Sequence, residues 1–163
     1  MIEASWAPCL LASEAGIDDV VVLQAALLHD VVEDTPTSIA DVQAEFGAAV
    51  ASIVQELTDD KSLPKEERKR LQVVNAPSKS QGAAWVKAAD KICNLREIVA
   101  APPPWELARK LAYFDHAAAV VRRLPHLPAR LRDLFEQAFA LRDWLEQDLL
   151  PSGAAPALAS AAY

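Results

Sequence analysis

The sequence predicts an all-α helical bundle, on three observations. Ala-, Leu- and Glu/Arg-rich segments dominate a chain with only four glycines. Apolar residues recur at helical spacing between clear punctuation marks, and strand signals are nearly absent, with no alternating run and no Asn-Gly or Asp-Gly hairpin. At 163 residues, 52% of them apolar, the chain is long enough for one domain with a real core and too short for two large ones.

The elements follow from their caps and breakers. Asp18 or Asp19 caps a helix through "VVVLQAALLHDVVED" that stops near Pro36. Thr37 or Ser38 caps a short helix ending at Gly47, and "AAVASIVQELT" continues as another. Pro64 opens a charged helix to about Val74, where "NAPS" ends it. "GAAWVKAADKICNLREIVAA" is strongly amphipathic and stops at the triple proline 102–104. "WELARKLAYFDHAAAVVRRL" follows, and after "PHLP" a last helix runs through "ARLRDLFEQAFALRDWLEQDLL". The segment 151–163, small and Pro-containing, is expected to be a disordered tail.

Composition excludes several function classes. A net charge of -7 without a long basic stripe argues against a nucleic-acid binder, and the one basic cluster, "KEERKR", is interleaved with acid as on a solvated helix face. The longest apolar run, Val20 to Leu28, is broken by Gln24 and is far too short to span a bilayer. The N-terminus lacks the basic region of a signal peptide, and Cys9 and Cys93 lack metal-type spacing, which leaves a reduced pair or a single disulfide. A soluble cytoplasmic protein is expected.

The chemistry concentrates in "LLHDVVEDT", Leu27 to Thr35, which sets four ionisable groups in an apolar segment. On a continuous helix, residues four apart share a face, so His29 stacks with Glu33 and Asp30 with Asp34. Ionised carboxylates are rarely buried without partners, because desolvation costs several kcal/mol each, so a cation is expected to face them. A second polar insertion, "KAADKICNL", places Asp90 and Asn94 at i and i+4. Packing of the two helices brings His29, Asp30 and Asp90 to one site, a donor set suited to Mn²⁺, Mg²⁺, Fe²⁺ or Zn²⁺. Such an ion acidifies a water at neutral pH, with Glu33 and Asp34 one turn away to handle protons or position that water. Taken alone, a His-Asp dipeptide on a helix is more often structural.

"AALLHDVVEDT", "FGAAVASIVQELTDDKSLPKEERKRLQ" and "KAADKICNLREI" together resemble the HD-domain hydrolases of the RelA/SpoT group, most closely its small stand-alone SpoT-homologue branch, over about residues 10 to 125. The resemblance implies an HD-domain helical bundle, over residues 1–150, and a Mn²⁺-dependent hydrolase, with other divalent ions as alternatives. It implies a guanosine polyphosphate as partner, the enzyme removing the 3′-pyrophosphate from guanosine tetra- or pentaphosphate to give GDP or GTP and pyrophosphate. Residue by residue, His29, Asp30 and Asp90 match metal ligands, and Glu33 and Asp34 match the pair that assists water and protons. Asn94 matches a contact to the nucleotide sugar region, and Arg109 and Tyr113 in "RKLAY" match a pair lining the substrate pocket. Lys65 matches a phosphate-side lysine, with a plain surface lysine as the alternative. A substrate carrying two pyrophosphates needs the positive charge that the metal and Arg109 supply. A stacked Glu33/Asp34 pair is expected to push one carboxyl pKa upward. His116 has no assigned role, and His126, between two prolines, reads as a loop residue.

The pattern departs from the family at the N-terminus. The family has a further histidine ligand in an "HP"-like segment and an upstream basic loop. Extending the match backwards from "SEAGID" sets Glu3 at the histidine and Ala4 at the proline, with no residues for the loop. Three readings stand: a late-assigned start or fragment, a degenerate member of impaired activity, or Glu3 serving as an oxygen ligand. The HD-helix face left uncovered is expected to drive homo-oligomer formation. The leading function is alarmone hydrolysis; the alternatives are a phosphohydrolase acting on another nucleotide and a catalytically degenerate binding or regulatory module. "TDDK" and "RKLAY" favour the alarmone branch over another nucleotide.

Overall fold

The computed structural model describes residues 6–146, and every regular element among them is helical. Glu3 and the tail expected at 151–163 lie outside that range. The chain opens with α1 (Ala7–Cys9), which runs directly into a π-helical turn, Leu10–Glu14. The periodicity predicts no element there. Packing explains it: Ala7, Leu10 and Leu11 are buried, and the Arg96 guanidinium grips the Glu14 carboxylate in two hydrogen bonds of 2.7 and 3.0 Å.

Asp19 caps α2 (Val20–Leu28), accepting from the Val21 and Val22 N–H groups at 2.9 and 3.3 Å. The single helix expected to run on toward Pro36 is interrupted. After α2 the chain turns at His29 and Asp30, and a short α3 (Val31–Asp34) begins anew. The reason is local competition for a carbonyl. His29 Nδ1–H donates to Ala26 O at 2.8 Å, the oxygen that a continuous helix would present to the Asp30 N–H. Asp30 adopts φ −100° and ψ −3°, and its own carbonyl receives the Glu33 and Asp34 N–H groups.

Ser38 caps α4 (Ile39–Phe46) in a reciprocal box with Asp41. Gly47, at φ 85°, ends it and starts α5 (Ala48–Leu57), a conformation that a side chain strains. The charged α6 (Lys65–Asn75) buries none of its residues and pairs Glu66 with Lys69 and Glu67 with Arg70 along its own surface, as the interleaved charges predict. Ala76–Ser78 adds a 3₁₀ turn at "NAPS".

The axis of the bundle is α7 (Gln81–Ala100), capped by Ser80 and buried on nearly every side through Ala83, Val86, Ala89, Ile92 and Leu95. It packs against α1, α2, α5, α8 (Leu107–Val121) and α9 (Ala129–Ala140). Phe114, Leu131, Leu134 and Phe135 complete the main core, and a smaller one joins Ala25 with Val42, Val50, Ala51 and Val54. The final helix breaks at Leu141 before α10 (Arg142–Glu146). His126 lies in the loop between α8 and α9 at φ 57°, its carbonyl accepting from Trp85 Nε1 at 2.9 Å.

Candidate metal and nucleotide site

The turn at the end of α2 and the middle of α7 bring His29, Asp30 and Asp90 together, as their sequence pattern predicts. The hydrogen bond to Ala26 O fixes the His29 ring and turns Nε2 toward the carboxylates. Asp30 Oδ2 lies 3.1 Å and Asp90 Oδ1 3.5 Å from Nε2. His29 is 4% exposed, yet Nε2 makes no well-aligned hydrogen bond. A buried nitrogen lone pair flanked by two carboxylates is a donor set that fits a divalent cation. Among the described residues, no group of three or more His, Cys, Asp or Glu already surrounds a common centre; the trio is held as ion pairs.

Burial alone lowers the His29 pKa, but the Asp30 and Asp90 carboxylates overcome it and raise it to about 10. Burial likewise works to raise the Asp90 carboxyl; the His29 contact, Lys91 and Lys87 prevail and hold it far below the usual carboxylate range. In the metal-free protein a proton therefore occupies the place a cation would take. Because the folded pKa of His29 lies above its ordinary 6.5, its stabilisation is full below pH 6.5, declines as pH rises, and is gone above about 10. Thermal melts of chelator-treated protein should show Tm falling across that window, with the fall reduced in His29→Asn; a Tm that rises from pH 7 to 9 contradicts the assignment.

Past the turn at residues 29–30 the Asp34 N–H bonds the Asp30 carbonyl at 2.9 Å, so those two residues keep helical spacing, but the Glu33 and Asp34 side chains find their partners outside this helix. The Glu33 carboxylate instead accepts the Asp59 N–H at 2.8 Å, with Lys61 Nζ 3.9 Å from its second oxygen. Asp34 pairs with Lys61 at 3.0 Å. The cation expected to face the acids is thus Lys61 of "TDDK". The Glu33 carboxyl is raised, as expected of one of the pair, but the cause differs: burial comes first, with Asp59 and Asp30 adding, against the Asp59 N–H and Lys87.

On α7, Asn94 Nδ2 donates to Asp90 Oδ1 at 2.9 Å. Asn94 and Tyr113 line a cavity of about 500 Å³ together with Ile98, Pro103 and Trp105. Burial pushes the Tyr113 hydroxyl well above its ordinary pKa, so it remains a neutral hydrogen-bonding group. Arg109 is exposed and reaches this cavity indirectly, its guanidinium stacked 4.1 Å from the Trp105 ring centroid. Lys65 is exposed at the start of α6, without a hydrogen bond or ion pair among the described residues.

Sequence reasoning missed two residues here, the buried Lys87 and Lys91 of α7. Lys91 Nζ lies 3.7 Å from Asp90 Oδ2 and 5.4 Å from the Tyr113 ring centroid. Their signal was the i, i+4 spacing of two lysines flanking Asp90. His116, given no role, ties α8 to α6 by donating from Nε2 to the Lys69 carbonyl at 3.1 Å. Both cysteines are free thiols, with burial pushing Cys93 up to about 12.

Comparison with known proteins identifies a family. The HD domain family model matches residues 9–114. The guanosine-3′,5′-bis(diphosphate) 3′-pyrophosphohydrolase MESH1 of Homo sapiens is 51% identical over 134 residues, 82% of this chain and 75% of that protein. Its Drosophila melanogaster counterpart is 47% identical over 137 residues, 83% and 76% of the two chains. Among solved structures, a metazoan ortholog of SpoT that hydrolyzes ppGpp superimposes with a TM-score of 0.80 at 46% identity, over 85% of this chain and 79% of that one.

Proposed function

The chain belongs to the HD-domain family, in the branch of stand-alone SpoT homologues, and on that premise we propose that it hydrolyses guanosine tetra- and pentaphosphate at the 3′-pyrophosphate. The observation that carries the reading is the buried His29 Nε2, without a well-aligned hydrogen bond and flanked by carboxylates from two separate segments. His29, Asp30 and Asp90 would hold a divalent ion, Mn²⁺ in our reading. Such an ion, when bound, supplies positive charge to phosphate oxygens and acidifies water.

The remaining steps fall to the chain's own side chains. Glu33, with its raised pKa and its orientation held by the Asp59 N–H, takes a proton from the attacking water and returns one to the departing 3′ oxygen. The bond between the 3′ oxygen and phosphorus breaks, water adds across it, and pyrophosphate leaves. Lys61 anchors Asp34 and the Glu33 backbone carbonyl, so the acidic turn stays in place. The cavity edged by Asn94, Tyr113 and Trp105 suits a ribose and a purine, with polar groups at one end and a ring at the other. Lys65 and Arg109 are left to phosphate contacts at the rim.

Pyrophosphate release from guanosine tetraphosphate with Mn²⁺, with GDP as co-product, tests the reading. Turnover of other nucleotides alone favours a different phosphohydrolase, and ligand binding without turnover favours a regulatory module.

We further propose self-association. Val20 and Leu27, seven residues apart on α2, are 64% and 65% exposed, and Trp6 is 65% exposed. Sedimentation velocity should show a concentration-dependent dimer or larger species; a monomer at all concentrations contradicts it. The cytoplasmic location belongs to the same proposal: the two free thiols agree with a reducing compartment, and no helix among the described residues is long and apolar enough to cross a membrane.

A further inference from the structure

A second cavity, of about 600 Å³, opens between the end of α5, α6 and the start of α7. Its charged lining is balanced on paper, with Glu56, Asp59 and Asp60 against Arg68, Lys79 and Lys87. Hydrogen bonding separates the two sets, although the charges still offset. The Glu56 carboxylate accepts the Ser80 N–H at 2.8 Å, Asp60 accepts the Ser62 N–H at 2.9 Å, and Asp59 accepts from the Gln72 side-chain amide. Each acid already has a donor.

The bases are not spent in the same way. Lys79 Nζ donates to the Glu56 carbonyl. Lys87, only 7% exposed, makes no hydrogen bond or ion pair among the described residues. Two further atoms are buried and unpartnered: Arg68 Nε, and Gln72 Oε1, since the amide nitrogen of Gln72 is committed to Asp59. Buried polar atoms without partners are costly, and groups of this kind at a cavity wall point to a ligand that completes them. The unspent set is two cationic donors and one neutral acceptor. A hydrogen-phosphate group meets both demands, with anionic oxygens for Lys87 and Arg68 and a P–OH to donate to Gln72 Oε1. Sulfate, without a proton at neutral pH, meets only the first.

The cavity adjoins the candidate catalytic groups through one residue, because Asp59 lines it while donating its N–H to Glu33. Lys87 is close enough to the acidic wall to work against the rise of the Glu33 carboxyl and to help hold the Asp90 carboxyl low. We propose that this cavity is a hydrogen-phosphate subsite, in which Lys87 and Arg68 bind a phosphate or pyrophosphate group and Gln72 receives its P–OH. The identity of that group as the 3′-pyrophosphate rests on the hydrolase reading above; the subsite itself does not.

The test is a titration of inorganic pyrophosphate into the 163-residue chain at pH 7 with chelator present, followed by calorimetry and ³¹P NMR. Pyrophosphate should bind the wild type at least about ten-fold more tightly than sulfate. Lys87→Met should weaken it about ten-fold or more, and Arg68→Gln about three- to ten-fold. Arg68 is partly exposed, so its variant keeps the test decisive should the Lys87 variant misfold, which circular dichroism reports. No binding by the wild type, equal binding by both variants, or equal affinity for sulfate overturns the proposal. A competition arm on His29→Ala identifies the source of the group. Displacement of pyrophosphate by guanosine tetraphosphate means that the substrate's own phosphate enters the subsite; simultaneous binding means that it receives free product. Pyrophosphate binding without hydrolysis by the wild type leaves the subsite standing and sinks the hydrolase reading, and the reverse result does the opposite.

Discussion

His29→Ala should lower pyrophosphate release from guanosine tetraphosphate by more than about a thousand-fold, the largest effect expected of any single change in the chain. The substitution removes the one imidazole that faces both Asp30 and Asp90, and with it the only nitrogen donor of the proposed ion site. It also frees the Ala26 carbonyl that the ring occupies, so some loss of stability accompanies it. Asp90→Asn separates the two effects. It preserves side-chain volume and a hydrogen-bonding partner for Asn94 while removing the charge, and it should give a comparable loss of turnover with the helical signal intact. Activity within ten-fold of wild type in both variants contradicts the assignment of this trio.

Glu33→Gln should lower turnover by about a hundred- to ten-thousand-fold, the range for losing a general acid–base group, without loss of metal. The stability prediction has the opposite sign. Burial raises the Glu33 pKa, so ionised Glu33 opposes folding above its unfolded pKa, and the penalty is relieved as pH falls through the folded value. The amide oxygen of Gln still accepts the Asp59 N–H, and no charge is desolvated. The variant should therefore melt at or above the wild-type Tm at pH 8. An inactive variant that melts well below wild type would mean that Glu33 is a structural anchor for Asp59 and not a proton carrier.

Most of the fold was legible because its boundaries are written in local chemistry. Ser38 with Asp41, Gly47, Pro64 and the triple proline at 102–104 each end or begin an element for a reason that needs no tertiary context. The candidate site was legible in its membership, since His29, Asp30 and Asp90 do meet, but not in its local geometry. Periodicity carries α2 straight through His29, whereas the imidazole competes for a helix carbonyl and breaks the helix at that residue. That break sends Glu33 to Asp59 and Asp34 to Lys61, contacts across the fold that i, i+4 spacing cannot anticipate. The opening turn from Ala7 to Glu14 was invisible for a related reason. It is held by burial against α7 and by Arg96, 82 residues away. Lys87 and Lys91 escaped notice because lysine on an amphipathic helix ordinarily extends into solvent, and only the central position of α7 in the bundle turns them inward.

The central claim is that His29, Asp30 and Asp90 hold a divalent ion, and Mn²⁺ binding followed by electron paramagnetic resonance tests it most directly. Titration of metal-free protein with Mn²⁺ at pH 8 should remove the free-ion signal at one ion per chain. The affinity should fall at lower pH as His29 reclaims its proton. Asp90→Asn should weaken it by about ten- to a hundred-fold or more. Equal Mn²⁺ affinity in wild type and Asp90→Asn, or full turnover by wild-type protein that binds no ion, would contradict the account.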